Sequence, residues 1–206
     1  MAPRKPHNKA PKRNTKDTVK KPSELRIIGG EWRSRKVAFY PAEGLRPTLD
    51  RVRETAFNWL QPYIEGATCL DLFAGSGALT FEALSRHAKK VHINELNVQV
   101  RNTLADQLNL LKCDSARYQL TGFDGTQPQL SDRFDVIFLD PPFRKGLLED
   151  CCSALNKLDI FKHHCVIYIE SECTLESLAL PDSWHVLKQK KAGQTHYGLI
   201  ERVSGD

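Results

Sequence analysis

Residues 69–79 combine one acidic residue with a glycine-rich turn. The sequence is CLDLFAGSGAL, in which an apolar run around Asp71 passes through Gly75 and Gly77 into a segment with helical apolar spacing. This order predicts a buried strand, a tight turn and the start of a helix. Glycine lets the backbone approach a ligand closely, and unpaired N–H groups at a helix start attract negative or polar atoms. The stretch is a candidate ligand site, although an ordinary strand-to-helix turn can have the same pattern.

Asp71 and Thr80 restrict the class of ligand that this stretch can bind. A dinucleotide site has the pattern GxGxxG, and Thr80 stands here in place of the third glycine, so we expect no NAD binding. A carboxylate at Asp71 would repel a pyrophosphate but would attract a cationic amino group. The pattern DxFxGxG resembles the first motif of class I S-adenosylmethionine (SAM) methyltransferases, which implies SAM as the cofactor. The binding residues implied in this stretch are Asp71, Phe73, Ala74, Gly75, Ser76 and Gly77.

Two further predicted strands end in acidic residues. Residues 91–95 are VHINE, so Glu95 ends a predicted strand, and Leu96 follows it. In this architecture an acid at about this position binds the ribose diol. Residues 134–140 are FDVIFLD, an apolar run that ends at Asp140. Ligands of open α/β sheets bind at the carboxyl ends of the strands. We therefore expect Asp71, Glu95 and Asp140 to face one crevice, with Glu95 and Leu96 as further cofactor contacts.

The corner Asp140-Pro141-Pro142-Phe143 has the groups needed to bind an aromatic amine. Proline cannot continue a central strand, so the two prolines should fix a rigid corner. The Asp140 carboxylate and the Pro141 carbonyl would then be fixed acceptors for the two hydrogens of an exocyclic NH₂ group. Holding both hydrogens favours a pyramidal nitrogen whose lone pair can attack a methyl group. We predict Asp140, Pro141 and Phe143 as catalytic residues, Phe143 by stacking; the alternative is an ordinary proline turn.

Alternating strand and helix patterns predict an α/β fold. Residues 25–39 should form two short strands around Gly29 and Gly30, and a helix capped by Thr48 should end before Pro62. A turn around Gly193 separates the last two predicted strands. We expect a Rossmann-like class I methyltransferase fold, with a mostly parallel seven-stranded sheet, an antiparallel last strand and a small N-terminal hairpin and helix extension. The expected division is a tail (1–22), the extension (23–62) and a methyltransferase domain (63–206).

Positive charge is concentrated near the N-terminus. Residues 1–22 contain eight Lys or Arg residues and one acid, Asp17, with four prolines and few apolar residues, so we expect a disordered basic arm that can contact RNA phosphates. Arginines continue through residues 26–53 with Trp32 among them, a combination that suits RNA backbone and base-stacking contacts. The alternative is a solvated hairpin face. The candidate RNA-binding residues are Arg26, Arg33, Arg35, Lys36, Arg46, Arg51 and Arg53.

Composition argues against several other classes of protein. No apolar run approaches the roughly 18 residues that span a bilayer, and the N-terminus lacks the apolar segment of a secretory signal. The six cysteines contain no CxxC pair, and several lie in apolar runs. We therefore expect reduced thiols in a cytoplasmic protein without a metal site.

Four longer patterns identify a specific family. They are RIIGGxWR (26–33), GLRPTxDRVRETxFNWL (44–60), LDLFAGSGALxxEALSR (70–86) and DPPFRKGLL (140–148). Together they closely resemble the RsmD-type 16S rRNA guanine-N2 methyltransferases, from about Leu25 to Arg202. The resemblance implies SAM-dependent methylation of guanine 966 in small-subunit RNA by a protein expected to be a monomer. It places the methionine part of SAM near Asp71 and the glycine turn, the ribose at Glu95, and the guanine between Asp140 and Phe143.

The sequence departs from this family at two positions. Asp or Asn followed by Ala usually stands near the adenine after the third strand, whereas residues 120–124 are LTGFD here, so the adenine contact stays unassigned. The second strand continues as NELN, with Asn97 where Asp is common. Two alternative functions remain open: an adenine-N6 methyltransferase using the same corner, and a non-catalytic RNA-binding protein on this fold. The first normally needs a separate target-recognition domain, and the intact acidic and glycine residues argue against the second.

Overall fold

The computed structural model describes residues 22–40, 49–143 and 146–203. Its helices are α1 (Asp50–Ile64), α2 (Ala78–Ser85), α3 (Val98–Leu110) and α4 (Leu147–Asn156). Its strands are β1 (Ser23–Arg26), β2 (Lys36–Phe39), β3 (Thr68–Asp71), β4 (Lys90–Asn94), β5 (Tyr118–Thr121), β6 (Phe134–Leu139), β7 (Phe161–Ser171), β8 (Trp184–Ala192) and β9 (Thr195–Arg202). The predicted basic arm, up to residue 21, lies outside the described residues, and no described helix is long and apolar enough to cross a membrane.

Seven strands form the central sheet in the order β5-β4-β3-β6-β7-β9-β8. Neighbouring strands from β5 to β7 are parallel, and β9 is antiparallel to both β7 and β8. The turn between β8 and β9 contains Gly193 at φ 61°, as the sequence predicted. The order reverses between β3 and β6, which is where an open α/β sheet forms its ligand crevice. The predicted fold class, including the antiparallel last strand, is confirmed.

The sheet is covered on both faces. One apolar cluster contains Phe57, Phe81 and Phe138 and joins α1, α2 and the sheet. The other contains Leu70, Ile137 and Leu155 and joins the opposite face to α4. All six cysteines are unpaired, and four of them (Cys69, Cys151, Cys152 and Cys165) are buried in these clusters. The continuous apolar patterns of β3 and β6 are explained by this two-sided burial.

The N-terminal hairpin is a separate two-stranded antiparallel sheet, with Ser23 opposite Phe39. Its connecting loop packs against the end of α2, where Glu31 N–H donates to the Ser85 carbonyl at 2.7 Å. Gly30 has φ 78°, and a Cβ atom there would lie 1.8 Å from the same carbonyl oxygen, so a larger residue does not fit. Trp32 is only 6% exposed. The prediction that Trp32 stacks on RNA bases is therefore wrong, because its ring is part of the core.

Helix α1 continues past the proline that was predicted to stop it. It runs to Ile64 with Pro62 in its last turn, and its N-cap position is Leu49; the predicted cap, Thr48, lies outside the described residues. Leu60 and Ile64 are both buried against the core. Burial of Ile64 extends the apolar face of the helix by one turn, and this packing offsets the backbone hydrogen bond that Pro62 cannot donate.

A buried carboxylate, Glu82 of α2, joins the hairpin to both neighbouring helices. It is fully buried and accepts hydrogen bonds from the N–H groups of Ile28 and Gly29. Arg86 Nε donates to it at 3.1 Å, and Arg53 Nε of α1 lies 3.5 Å away, within ion-pair distance. Arg53 is also fully buried and donates through Nη2 to the Arg26 carbonyl and to Asp50. This arrangement explains why two charged side chains stand in the interior.

We expect Glu82→Gln to destabilise the protein by about 3–5 kcal/mol, because it leaves the Arg53 charge buried without its partner. Lys36→Ala is the control, since Lys36 pairs with Glu24 at 2.7 Å but both side chains are more than half exposed. Such a surface pair contributes about 0–1 kcal/mol. Urea unfolding measures both changes; losses of equal size would mean that Glu82 does not hold the hairpin.

Candidate active site

Three sequence-distant strand ends meet at one edge of the sheet. Asp71, the last residue of β3, lies opposite Ile93 of β4 and Phe138 of β6. The residues that follow these strands, including Glu95 and Asp140, therefore leave the sheet at the same edge, which we call the catalytic edge. The strand pairing is therefore compatible with the predicted crevice, which stays a prediction.

Asp71 is a buried carboxylate at the centre of this edge, only 2% exposed. Its Oδ2 accepts the Thr80 hydroxyl hydrogen at 2.6 Å, and the backbone N–H groups of Phe73 and Thr80 also donate to the carboxylate. Burial and the nearby charge of Glu95 raise the pKa of Asp71 to about 6, against these hydrogen bonds. A buried carboxylate of this kind is poised to bind a cation.

The glycine turn between β3 and α2 carries two residues with positive φ, Gly75 at 51° and Gly77 at 78°. Position 77 requires glycine for a second reason besides its backbone angle. A Cβ atom there would lie 2.4 Å from the Phe81 ring and 2.6 Å from Leu104. Gly77 therefore allows α2 to pack against α3. Ala74 and Ser76 are buried in the same turn, and Phe73 is half-buried.

Glu95 is oriented by two backbone donors. Gly75 N–H donates to its Oε2 at 2.9 Å, and Asn97 N–H donates to its Oε1 at 2.8 Å. Each carboxylate oxygen retains capacity for another hydrogen bond, as a ribose diol requires. Asn97, where the family commonly has Asp, caps α3 by accepting from the N–H groups of Gln99 and Val100. Leu96 is 64% exposed beside this acid.

Asn94 is a buried polar residue at the same edge, which the sequence analysis missed. It is 2% exposed, and its Nδ2 donates to the carbonyls of Leu72 and Phe123 at 3.1 and 3.0 Å. Its Oδ1 accepts from Phe123 N–H at 3.0 Å and from the Thr121 hydroxyl at 3.2 Å. One amide therefore joins the ends of β3, β4 and β5, including the loop near the unassigned adenine contact. The available signal was a polar residue at a buried strand position next to Glu95.

The Asp140 corner directly follows β6 at the same edge of the sheet. Pro141 is buried, whereas Asp140 and Phe143 are half-buried; the following Arg144 and Lys145 lie outside the described residues. Burial and the charge of Glu170 raise the pKa of Tyr168 well above its usual value, and the charge of Asp140 raises it further. The Tyr168 hydroxyl donates to Glu170 at 2.9 Å, and Glu170 is 4% exposed. Glu170 is thus a second buried carboxylate, near the end of β7, that the sequence analysis did not single out.

Comparison with known proteins assigns the family. The family model described as "Conserved hypothetical protein 95" matches residues 25–201. "Ribosomal RNA small subunit methyltransferase D" of Haemophilus influenzae is 47% identical over 86% of this chain and 94% of its own length. The Escherichia coli protein of the same name is 42% identical over 89% and 96%. The solved yhhF structure from Escherichia coli is 41% identical, with a TM-score of 0.79 over 89% of this chain and all of that one.

The chain belongs to the ribosomal RNA small subunit methyltransferase D family. This assignment confirms the resemblance seen in the sequence, and the chain is a methyltransferase with SAM as its cofactor. The described residues fit this cofactor: the buried carboxylate of Asp71 would suit the amino group, and the oriented carboxylate of Glu95 would suit the ribose. Within the described ranges, no group of three His, Cys, Asp or Glu side chains could hold a metal ion.

The predicted RNA contacts of this methyltransferase fall into different environments. Arg26, Arg33, Arg35, Lys36 and Arg51 are exposed, and Arg46 lies outside the described residues. The prediction that Arg53 contacts RNA is wrong, because its side chain is fully buried and ion-paired with Glu82. Arg35 donates to the carbonyls of Leu110 and Leu111 at the end of α3, and Lys36 pairs with Glu24. These two side chains already have protein partners.

The hairpin loop also lies away from the catalytic edge. Helices α2 and α3 both begin at that edge, after β3 and β4, and return to the opposite edge before the next strand. The loop contacts their C-terminal ends, through Glu31 with Ser85 and through Arg35 with Leu110. Arg33 and Arg35 are therefore near the amino ends of the strands. Arg51 is exposed in the first turn of α1, the turn whose Arg53 donates to the Arg26 carbonyl of the hairpin.

We expect SAM affinity to fall toward tenfold per pH unit below about pH 6, because Asp71 must lose its proton to pair with a cation. Asp71→Asn should weaken binding at pH 7.5 by roughly 10- to 100-fold, since a charge-assisted hydrogen bond contributes about 1.5–3 kcal/mol. It should also remove the pH dependence. Calorimetry from pH 5 to 7.5 measures both effects.

Asp182→Asn, which changes an exposed carboxylate outside the site, is the control and should leave the pH profile intact. Thermal unfolding of the unliganded protein tests the raised pKa of Asp71 independently. The pKa of Asp71 is higher in the folded than in the unfolded chain, so its contribution to stability is lost as pH rises through about 6. Unliganded Asp71→Asn should therefore be at least as stable as wild type at pH 7.5. Unchanged SAM affinity in this variant would remove Asp71 from the site.

Proposed function

We propose that this enzyme transfers the methyl group of SAM to the exocyclic N2 of a guanine in 16S rRNA of the small ribosomal subunit, at the position equivalent to guanine 966. The observation that carries the proposal is the placement of the Asp140-Pro141 corner at the same edge as Asp71 and Glu95. The substrate class is supported by two relatives whose names refer to small-subunit ribosomal RNA. The choice of N2 rests on the resemblance in sequence to RsmD-type enzymes.

The Asp140 corner would activate the amine. The amino nitrogen of guanine is a poor nucleophile because its lone pair is delocalised into the ring. The Asp140 carboxylate and the Pro141 carbonyl would accept its two hydrogens, which favours a pyramidal nitrogen with an available lone pair. After transfer the nitrogen carries one proton too many, and the Asp140 carboxylate is placed to accept it. Phe143, half-buried next to these acceptors, would stack on the base.

The cofactor side of the crevice would fix the direction of attack. When bound, SAM supplies a methyl group on a positively charged sulfur. Asp71 would hold its amino group and Glu95 its ribose hydroxyls, while Asn94 keeps the ends of β3 and β5 at a constant separation. These contacts lie on rigid strand ends, so they can orient the donor toward the Asp140 corner.

Asp140→Asn should abolish methylation of a 16S rRNA transcript while leaving SAM affinity within a few-fold of wild type. The neutral amide oxygen is a weaker acceptor for the amine hydrogen than the carboxylate, and the amide cannot accept the released proton. Mass analysis of the digested nucleosides measures N2-methylguanosine, and calorimetry measures SAM binding. Methylation at the wild-type rate would make the corner purely structural.

Phe143→Leu tests the stacking role in the same assay. Loss of stacking, worth roughly 1–3 kcal/mol per base, should reduce turnover of RNA, and Phe143→Tyr is the control that keeps the aromatic face. The modified nucleoside identifies the target. N6-methyladenosine instead of N2-methylguanosine would support the adenine methyltransferase, and SAM binding without any methylated RNA would support the non-catalytic protein.

A further inference from the structure

A target guanine in single-stranded RNA enters the site together with the sugar-phosphate groups on both sides. Those phosphates need cations near the catalytic edge. The folded part of the chain supplies few of them from the predicted set. Arg53 is buried, and Arg33 and Arg35 lie near the opposite edge of the sheet. Arg26 and Lys36 lie opposite each other in the N-terminal hairpin, and Lys36 pairs with Glu24, so Arg51 is the remaining exposed candidate among the described residues.

The β8–β9 hairpin contains an additional group of basic residues. Strand β8 is the edge strand of the sheet, and residues 185–191 are all exposed. Three of the last four residues before Ala192 are lysines: Lys188, Lys190 and Lys191. We call these three the β8 lysines. Lysines on an edge strand also prevent pairing between edges of different molecules, so their presence alone does not indicate a ligand.

The position of the β8 lysines relates them to the active site. His196 of β9 lies opposite Lys191 on one side and opposite Ser171, the last residue of β7, on the other. Strands β7 and β6 are parallel, so the end of β7 and the tip of the hairpin both lie at the catalytic edge. Three interstrand spacings separate β6, which leads into Asp140, from β8. This corresponds to about 14 Å across the sheet, a distance that a few nucleotides can span.

The β8 lysines have no acidic partner among residues 22–40, 49–143 and 146–203. Residues 184–203 contain four Lys or Arg residues and one acid, Glu201. Glu201 lies opposite His185, at the other end of the hairpin. Glu176 is occupied by a hydrogen bond from Gln189. Within the described ranges, therefore, no ion pair neutralises the positive charge at the tip.

An aromatic pair lies next to these cations. Trp59 of α1 stacks on Tyr197 of β9, with ring centroids 5.5 Å apart and planes inclined by 27°. The Lys190 Nζ atom is 5.9 Å from the centroid of the Trp59 ring, within cation–π distance. Trp59 is half-buried and so remains partly accessible. Interleaved cations and aromatic rings are the usual composition of a surface that follows single-stranded nucleic acid.

We infer that Lys188, Lys190 and Lys191, with Trp59 beside them, bind the RNA backbone next to the target guanine. This inference rests on the proposed function, because it takes single-stranded RNA as the substrate. The surface is continuous with the active site along the catalytic edge, and it supplies the charge that the N-terminal hairpin loop presents elsewhere. The lysines contact phosphates, which strengthens binding and holds the strand without selecting the sequence.

The test compares two triple variants of the full-length protein. The first changes Lys188, Lys190 and Lys191 to Gln. The matched control changes Lys89, Lys112 and Lys157 to Gln, three exposed lysines that follow α2, α3 and α4 at the opposite edge. Both variants remove three positive charges, so they separate a local contact from a general effect of net charge. Affinity for an unmodified 16S rRNA fragment that contains the target is measured at several salt concentrations.

The β8 variant should reduce the slope of log affinity against log salt by about 2, since each phosphate contact on a single strand contributes about 0.7. It should also raise KM for RNA at least tenfold and leave kcat at saturating RNA within about twofold. The control should keep the wild-type slope, and both should bind SAM normally. A β8 variant with the wild-type slope overturns the inference. If that variant also self-associates in gel filtration, the lysines protect the edge strand instead.

The nucleoside that the wild-type protein produces distinguishes a failure of this inference from a failure of the proposed function. N2-methylguanosine produced by wild type, together with equal slopes for the two variants, rejects only the β8 surface. RNA binding with the expected difference in slope, but with methylation on another base, rejects only the guanine assignment.

Discussion

The ion pair between Glu82 and Arg53 is the constraint on which the rest of the architecture depends. Glu82 accepts from the backbone of the N-terminal hairpin and pairs with a fully buried guanidinium of α1, so one side chain fixes three elements. It stands on α2, the helix that follows the glycine turn. The same helix carries Thr80, whose hydroxyl hydrogen-bonds to Asp71. The position of the hairpin is thus coupled to the position of the cofactor carboxylate through a single short helix that is buried along its whole length.

The two sides of the crevice are held by different means. On the cofactor side, side chains bind backbone: Asn94 joins three strand ends, and Glu95 accepts from the glycine turn. On the target side, two prolines restrict the chain directly after β6. A ligand with many polar groups needs several oriented contacts, whereas a flat base needs a rigid corner and a ring face. The division matches the chemistry that each side is proposed to perform.

Local patterns in the sequence were sufficient for the strands, the glycine turn and the positions of Glu95 and Asp140 directly after strand ends. Each depends on residues that are close in the chain, and the parallel topology then brings the strand ends together. Trp32 and Arg53 were misplaced for a physical reason. An aromatic ring among arginines has the same composition in a nucleic-acid surface and in a packed junction, and only the tertiary contacts with α2 distinguish them. Asn94 was missed because all its partners lie on other strands. The β8 lysines were missed because a basic edge strand is unremarkable until its distance from Asp140 is known.

The insertion of β9 between β7 and β8 has a consequence for synthesis on the ribosome. The strand that fills this gap is made after both strands that flank it, so β8 leaves the ribosome without a neighbour to pair with. Meanwhile β7 exposes the unpaired edge of an apolar run that includes Val166, Ile167 and Ile169. An unpaired edge of this composition is prone to association with other chains. Completion of the sheet therefore has to wait for Thr195–Arg202, and β7 keeps an exposed apolar edge until that strand has been made.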